Sequence, residues 1–378
     1  MARTIMSSSV RLLGLLAFTT SAACERTPEI KPSPPVSVTP ASRALPATST
    51  APTPTPTPGA TLSASAAAVA APSGYVLPGS ARVVAIGDLH GDLNALRAAL
   101  RLAGAIDSDD RWIGGKDLTV VQTGDQLDRG DHDREVLDVI EKLEGEATAA
   151  GSRFVVLNGN HELMNAGFDF RYVTRKSFAS FDDYKAQASA FAGRLPAEEL
   201  GRATALAPGG PYALKLAKHL TVARVGDSIF VHGGLLPAHF DYGLDRINAE
   251  ASAYLSGKLR ALPAALSGEE APVWTRAYGG DVDAAACEAL GRTLKLVGAK
   301  RLIVGHTVQK SGINAACQER VFRIDVGLSA YYGDNPVQVL EITAQGARVV
   351  TAGAAAGAGA GTAGKKSQNA GPALHSAP

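Results

Sequence analysis

No sign of charge is in excess in this chain: 37 Lys and Arg stand against 36 Asp and Glu among 378 residues. So near-neutral a balance gives no general pull toward nucleic acid or an acidic membrane surface, and excludes neither a local phosphate site nor a local metal site. Outside the first 24 residues no stretch is long and apolar enough to span a bilayer. Cysteine is scarce, three residues in all, and only 6% of the chain is aromatic. What remains is 46% hydrophobic and 19% charged, which suffices to bury a sizeable core once the biased ends are set aside.

Those ends are distinctive. Arg3 and Arg11 precede an apolar run, Leu12 to Phe18, and the small residues Ser21-Ala22-Ala23 lead to Cys24. Residues 1–24 therefore read as a secretory signal peptide. Small residues directly before Cys24 also resemble a bacterial lipobox, which would make Cys24 a lipid anchor for an exported protein on the periplasmic or cell-envelope side. An ordinary cleavage site beside a bystander thiol is the other reading. Residues 25–74 are dominated by Pro, Thr, Ser and Ala, including the run Ala51 to Pro58, and cannot bury enough apolar surface to fold. They read as a disordered linker. A low-complexity Ala/Gly-rich tail, 353–378, closes the chain. With Cys24 spent on lipid, Cys287 and Cys317 are left as an even pair, either bridged or buried as separate thiols.

Between these ends, over 75–352, apolar runs alternate with helical patterns, which is α/β architecture. Arg82–Ile86, Asp117–Gln122, Phe154–Leu157, Ser228–Val231 and Arg301–Val304 read as strands, each ending in a polar, Gly-containing turn. Leu93–Ala103 and Asp133–Leu143 read as amphipathic helices. A mostly helical insertion, 163–220, interrupts the rhythm and suits a cap over the site. Strand signals return at Val321–Val326 and Val337–Ile342, and these suit a second sheet packed on the first.

Chemistry concentrates in the turns. Gly87-Asp88-Leu89-His90-Gly91-Asp92 brings a carboxylate and an imidazole to one point, a pairing that suits a transition metal but, alone, equally a hydrogen-bonded loop. Gly124-Asp125-Gln126-Leu127-Asp128-Arg129-Gly130 packs two carboxylates and a guanidinium into one turn; its bland reading is a helix cap with a surface ion pair. Gly159-Asn160-His161-Glu162 places an amide oxygen beside an imidazole. Val231-His232-Gly233-Gly234 and Gly305-His306-Thr307 each end a strand in a histidine. One such histidine is ordinarily structural. Five junctions of this kind along one α/β chain point instead to a single metal centre at the carboxyl ends of the strands. His132, His219, His239 and His375 lack that placement and read as ordinary.

This ordered set resembles the calcineurin-like metallophosphoesterases, specifically the phosphoprotein phosphatase group, over about Val83 to Gly327. Pro272-Val273-Trp274-Thr275-Arg276, with Asp92 closing the first motif, is most similar to the bacterial Shewanella-like phosphatase branch. The C-terminal motif of eukaryotic Ser/Thr phosphatases is replaced by Arg323-Ile324-Asp325-Val326-Gly327. The resemblance implies two packed mixed β-sheets flanked by helices. It implies that Asp88, His90 and Asp125 hold one divalent ion and Asp125, Asn160, His232 and His306 a second, with Asp125 as the bridge. Two cations roughly 3.5 to 4 Å apart would activate a shared water and clamp both ends of an in-line displacement at phosphorus. His161 would be the general acid, oriented by Asp128, and Arg129 and Arg276 would grip phosphoryl oxygens. Mixed N and O ligands suit Mn, Fe or Zn alike. The function implied is hydrolysis of phosphomonoesters on protein, with tyrosine, serine and threonine all open and a phosphorylated small molecule a further substrate. Hydrolysis of dinucleoside polyphosphates by the same metals is the alternative. A tethered binding lipoprotein without catalysis would show gaps in the ligand set, and the set has none.

Overall fold

Short, largely apolar runs build the strands. In a computed structural model describing residues 74–353, apart from 192, these are β1 (Val76–Leu77), β2 (Arg82–Ile86), β3 (Leu118–Gln122), β4 (Arg153–Val156), β5 (Val222–Val225), β6 (Ser228–Val231), β7 (Arg301–Val304), β8 (Asn314–Ala316), β9 (Val321–Arg323), β10 (Gln338–Thr343) and β11 (Gly346–Thr351). The expected signal peptide, Cys24 lipobox, linker up to residue 73 and tail beyond residue 353 lie outside the described residues.

Two mixed sheets form, as the fold class requires. One runs β11-β10-β2-β3-β4 and the other β1-β5-β6-β7-β9-β8. β2, β3 and β4 are parallel, with β10 antiparallel to β2. β6, β7 and β9 are likewise parallel. Of the two late strands expected in the second sheet, β9 is there, beside β7, whereas β10 is corrected to the first sheet, where it joins β2. Local alternation reports which faces of a strand are buried, not which strand lies beside it, so both assignments were equally open to the pattern.

Period-two alternation sets the layers. Ile229 and Val231 of β6 face one apolar cluster while Phe230 between them faces the other. Leu302, Ile303 and Val304 of β7 divide in the same way. The cluster holding Phe230 and Ile303 also holds Val83 and Val120 of the other sheet, so it includes the seam between the sheets. On the outside of the β2 sheet lie α1 (Leu93–Leu102) and α2 (Asp133–Ala149), which bury Leu96 and Leu100, and Val136, Ile140 and Leu143. Asp92 starts α1 by accepting from the backbone N–H groups of Asn94 and Ala95, each at 3.0 Å.

The insertion comprises most of α3 (Asn160–Ala166), then α4 (Arg175–Ala179), a 3₁₀ stretch (Asp182–Ala190), α5 (Leu200–Leu206) and α6 (Pro211–Leu216). It is helical, as expected, and leans on α2. Past it, α7 (Pro237–Tyr242), α8 (Leu244–Leu255) and α9 (Ala284–Val297) cover the second sheet with residues such as Leu244, Ile247, Leu290 and Leu294. Cys287 on α9 and Cys317, in the turn between β8 and β9, are joined in a disulfide with their Cα atoms 5.3 Å apart. Of the two sequence readings, the bridge is the one the structure adopts.

Candidate active site

Every motif turn lies at the carboxyl end of its strand: Asp88 and His90 after β2, Asp125 after β3, Asn160 after β4, His232 after β6 and His306 after β7. To bring the side chains inward the backbone adopts positive φ at His90 (45°), Asp125 (56°), Asp128 (72°), Arg129 (67°) and His306 (65°). Non-glycine residues at such angles cost about 1–3 kcal/mol each and persist where function holds them. Gly124 and Gly159 are needed for a different reason. A Cβ on Gly159 would stand 2.2 Å from Asp125 Oδ1, and one on Gly124 2.7 Å from the Gly159 nitrogen, so the second and third motifs approach too closely for any other residue.

The side chains converge and are buried. Asp125 Oδ2 lies 3.1 Å from His232 Nε2, 3.7 Å from His161 Nε2 and 3.8 Å from His90 Nε2. Asn160 Oδ1 is 3.0 Å from the same His232 nitrogen. Asp88 Oδ2 is 4.0 Å from His90 Nε2, and both its oxygens accept from the His306 backbone N–H. Two groups of ligand atoms result, each within 4.8 Å: His90, Asp125 and His161, and Asp125, His232 and His306. Asp125 is common to both.

Histidine orientation tests whether divalent ions fit. His232 Nδ1 sits 3.0 Å from the Thr123 carbonyl, which can only accept, so the ring proton is there and Nε2 offers a lone pair. That lone pair meets an amide oxygen and a carboxylate oxygen, a set of acceptors that a cation draws together. His306 is held the other way round, Nε2 donating to the Trp274 carbonyl at 3.0 Å and Nδ1 left free. Burial first, and the neighbouring His232 next, push His306 down to about 3; burial likewise brings His90 to about 3. Both are neutral at physiological pH, the form that binds metal. Asp88 is pushed up by burial and by the carboxylates of Asp325 and Asp125, a crowding of negative charge that divalent cations relieve. The residues fit two such ions.

His161 differs from the other rings. Its Nδ1 lies 2.5 Å from Asp128 Oδ2, with Nε2 toward Asp125. Burial opposes its charge, yet Asp125 and Asp128 together raise its pKa above the ordinary value. Burial also opposes charge on Asp125, but His232 and His161 hold that carboxyl well below the usual range. Arg129 donates to His90 Nε2 at 2.9 Å and stands 5.2, 5.7 and 5.3 Å from the ring centres of Tyr172, Tyr331 and Tyr332. On the side of the second group, exposed Arg276 donates through Nη1 to His306 O and Thr307 Oγ1, both at 2.8 Å. The sequence-predicted residues are thus brought together, with the two arginines beside different histidines.

Residues 81–310 match the family model described as calcineurin-like phosphoesterase. The chain belongs to this family. Shewanella-like protein phosphatase 2 of Arabidopsis thaliana is 43% identical over 304 residues, covering 71% of this chain and 77% of that one. Shewanella-like protein phosphatase 1 of Plasmodium berghei is 29% identical over 275 residues, covering 70% and 72%. Among solved structures, the cold-active protein-tyrosine phosphatase of a psychrophilic Shewanella species is 25% identical, with a TM-score of 0.59 and coverage of 74% and 82%. The protein is therefore a metal-dependent phosphoric monoester hydrolase, a phosphoesterase of the Shewanella-like kind that its motifs resemble.

Several working parts of this phosphoesterase went unassigned in the sequence. Glu162, quoted in the third motif without a role, accepts from the backbone N–H groups of Asp125, Gln126, Leu127 and Gly159 and so locks the second motif to the third. Asp325 stands close enough to Asp88 to shift it. Its position beside Gly327 was the available signal. The aromatic wall at Arg129 had none, because Tyr172 and Tyr331 come from segments that read as insertion and loop. The insertion itself, expected over the site, reaches it through Tyr172 at the rim and through Asn165 and Arg202 behind Asp128.

Proposed function

We propose that this phosphoesterase removes phosphate from phosphorylated protein, with His161 as general acid. The observation that carries the acid role is the 2.5 Å contact between His161 Nδ1 and Asp128, which commits one ring nitrogen and turns the other toward the metal-binding carboxylate. The protein substrate is supported by the two protein phosphatases, from Arabidopsis and Plasmodium, that the chain is similar to. Asp88, His90 and Asp125 would hold one ion and Asp125, Asn160, His232 and His306 the other; Mn, Fe and Zn all suit such ligands. Bound there, the pair supplies Lewis-acid polarisation of the phosphoryl group and a nucleophile at neutral pH. Arg129 and Arg276 orient the phosphoryl oxygens with guanidinium forks. His161 passes its Nε2 proton to the departing oxygen, and Asp128 keeps the ring in the tautomer and rotation that aim that proton.

Purified mature protein offered phosphotyrosine, phosphoserine and phosphothreonine peptides, with metal analysis alongside, is expected to release inorganic phosphate. Release of nucleoside diphosphate from dinucleotides, with no phosphate from the peptides, would replace this reading by the nucleotide one. The enzyme is further proposed to work outside the cytoplasm, tethered through a lipid on Cys24. The apolar run before Cys24 and the disulfide between Cys287 and Cys317, a bond suited to oxidising compartments, support that placement. Mass spectrometry of the mature N-terminus should find a diacylglyceryl adduct, and an unmodified terminus at another residue removes the tether.

A further inference from the structure

Asp128 has two oxygens and only one of them should face His161. The groups that decide which come from the insertion. Arg202, on α5, is fully buried, an environment a guanidinium occupies only when its donors are matched. Nε donates to Asn165 Oδ1 at 2.7 Å and Nη1 to Ser177 Oγ at 2.8 Å. Nη2 donates to Asp133 Oδ2 at 2.6 Å and to Asp128 Oδ1 at 3.2 Å. Asn165 Nδ2 donates to that same Asp128 oxygen at 2.9 Å. Asp128 Oδ1 is thereby claimed by two donors, and Oδ2 is the oxygen left for His161 Nδ1. The backbone is pinned as well, since the Asp128 N–H donates to both oxygens of Asp133.

We propose that Arg202 is a positioning residue for the general acid, holding the Asp128 carboxylate in the one rotation that keeps the His161 ring aimed at the leaving oxygen. The inference rests on the reading that His161 donates that proton. It gives the insertion a part in catalysis from behind the site: α3, α4 and α5 each contribute a side chain to the bracket, through Asn165, Ser177 and Arg202. In the step itself a water-derived oxygen forms a new P–O bond in line as the P–O bond to the departing oxygen breaks, and the proton leaves His161 Nε2 for that departing oxygen. Nδ1 keeps its proton against Asp128. If Asp128 turns, the ring loses its anchor and the proton its direction, while the metal ligands stay where they are.

A structural tie between insertion and core would slow every substrate alike. A positioning role has a different signature, because an acidic phenol leaves without help and a less acidic one needs the proton. p-Nitrophenyl phosphate and phenyl phosphate differ chiefly in that respect. Arg202→Met is expected to lower kcat about 100-fold for phenyl phosphate and less than about tenfold for p-nitrophenyl phosphate, with metal content as in the parent protein. His161→Ala, assayed in parallel, should show the same selectivity. Equal losses on both esters for Arg202→Met, beside a selective His161→Ala, overturn the role of Arg202 alone. A non-selective His161→Ala overturns the general-acid reading and this inference with it. Arg202→Met leaves two buried carboxylates short of a partner; if it does not fold, Asn165→Ala decides, since it removes the second donor to Asp128 Oδ1 and keeps Arg202, Asp128 and Asp133 together, at the cost of one acceptor for Arg202 Nε. Selective loss there supports the bracket, and uniform or absent loss overturns it.

Discussion

Turnover of phenyl phosphate by His161→Ala is expected to fall about 100-fold or more, the scale of losing a positioned general acid, or about 2.7 kcal/mol on the barrier. Metal content should stay near that of the parent. Both halves of the result matter, because ligand atoms of His90, Asp125 and His161 also lie within 4.8 Å of one another, close enough to share a cation. The geometry favours the acid: Nδ1 is given to Asp128 at 2.5 Å, and Asp125, the carboxylate that Nε2 faces, is shared with His90 and His232. Loss of one metal equivalent in the purified variant would make His161 a ligand, and an unchanged kcat would remove it from the chemistry.

Asp125→Asn should behave in the opposite way and lose metal and activity together. Asp125 is the carboxylate common to both ligand groups, and it is almost wholly buried, with His161 N donating to Oδ1 at 3.0 Å. An amide of the same shape keeps the packing and removes the charge. Loss of a group that merely supports a ligand costs 10–100-fold, so loss of the shared ligand should cost more than about 100-fold. Elemental analysis together with kcat on p-nitrophenyl phosphate checks it. A variant that retains two metals per chain, active or not, would refute the bridging assignment.

How much of this was readable in advance depends on whether the cause was local. A buried apolar run followed by glycine and a polar ligand is a local signal. Asp88, His90, Asp125, Asn160, His232 and His306 were therefore legible as one centre, and the strands that present them lie within about a residue of the expected bounds. Strand neighbours are not local. β9 and β10 carry similar apolar patterns and went to different sheets, because pairing is settled by contacts far away in sequence. Arg202 failed for a third reason. An arginine within so short an apolar stretch as Leu200–Leu206 carries no local signal of its partners, and only the fold reveals that Asp128 and Asp133 lie beside it. The disulfide was undecidable from spacing, since 30 residues of separation say nothing about the distance between two thiols.

The place of β10 has a practical side. The match to the family model stops at residue 310, yet β10, which begins at Gln338, lies between β2 and β11. Ending a recombinant chain where that match ends would strip one flank of β2, the strand that delivers Asp88 and His90, and expose a row of unpaired N–H and C=O groups to other molecules. Such a bare flank invites aggregation. Fusion partners and purification tags therefore belong beyond Thr351, where β11 ends.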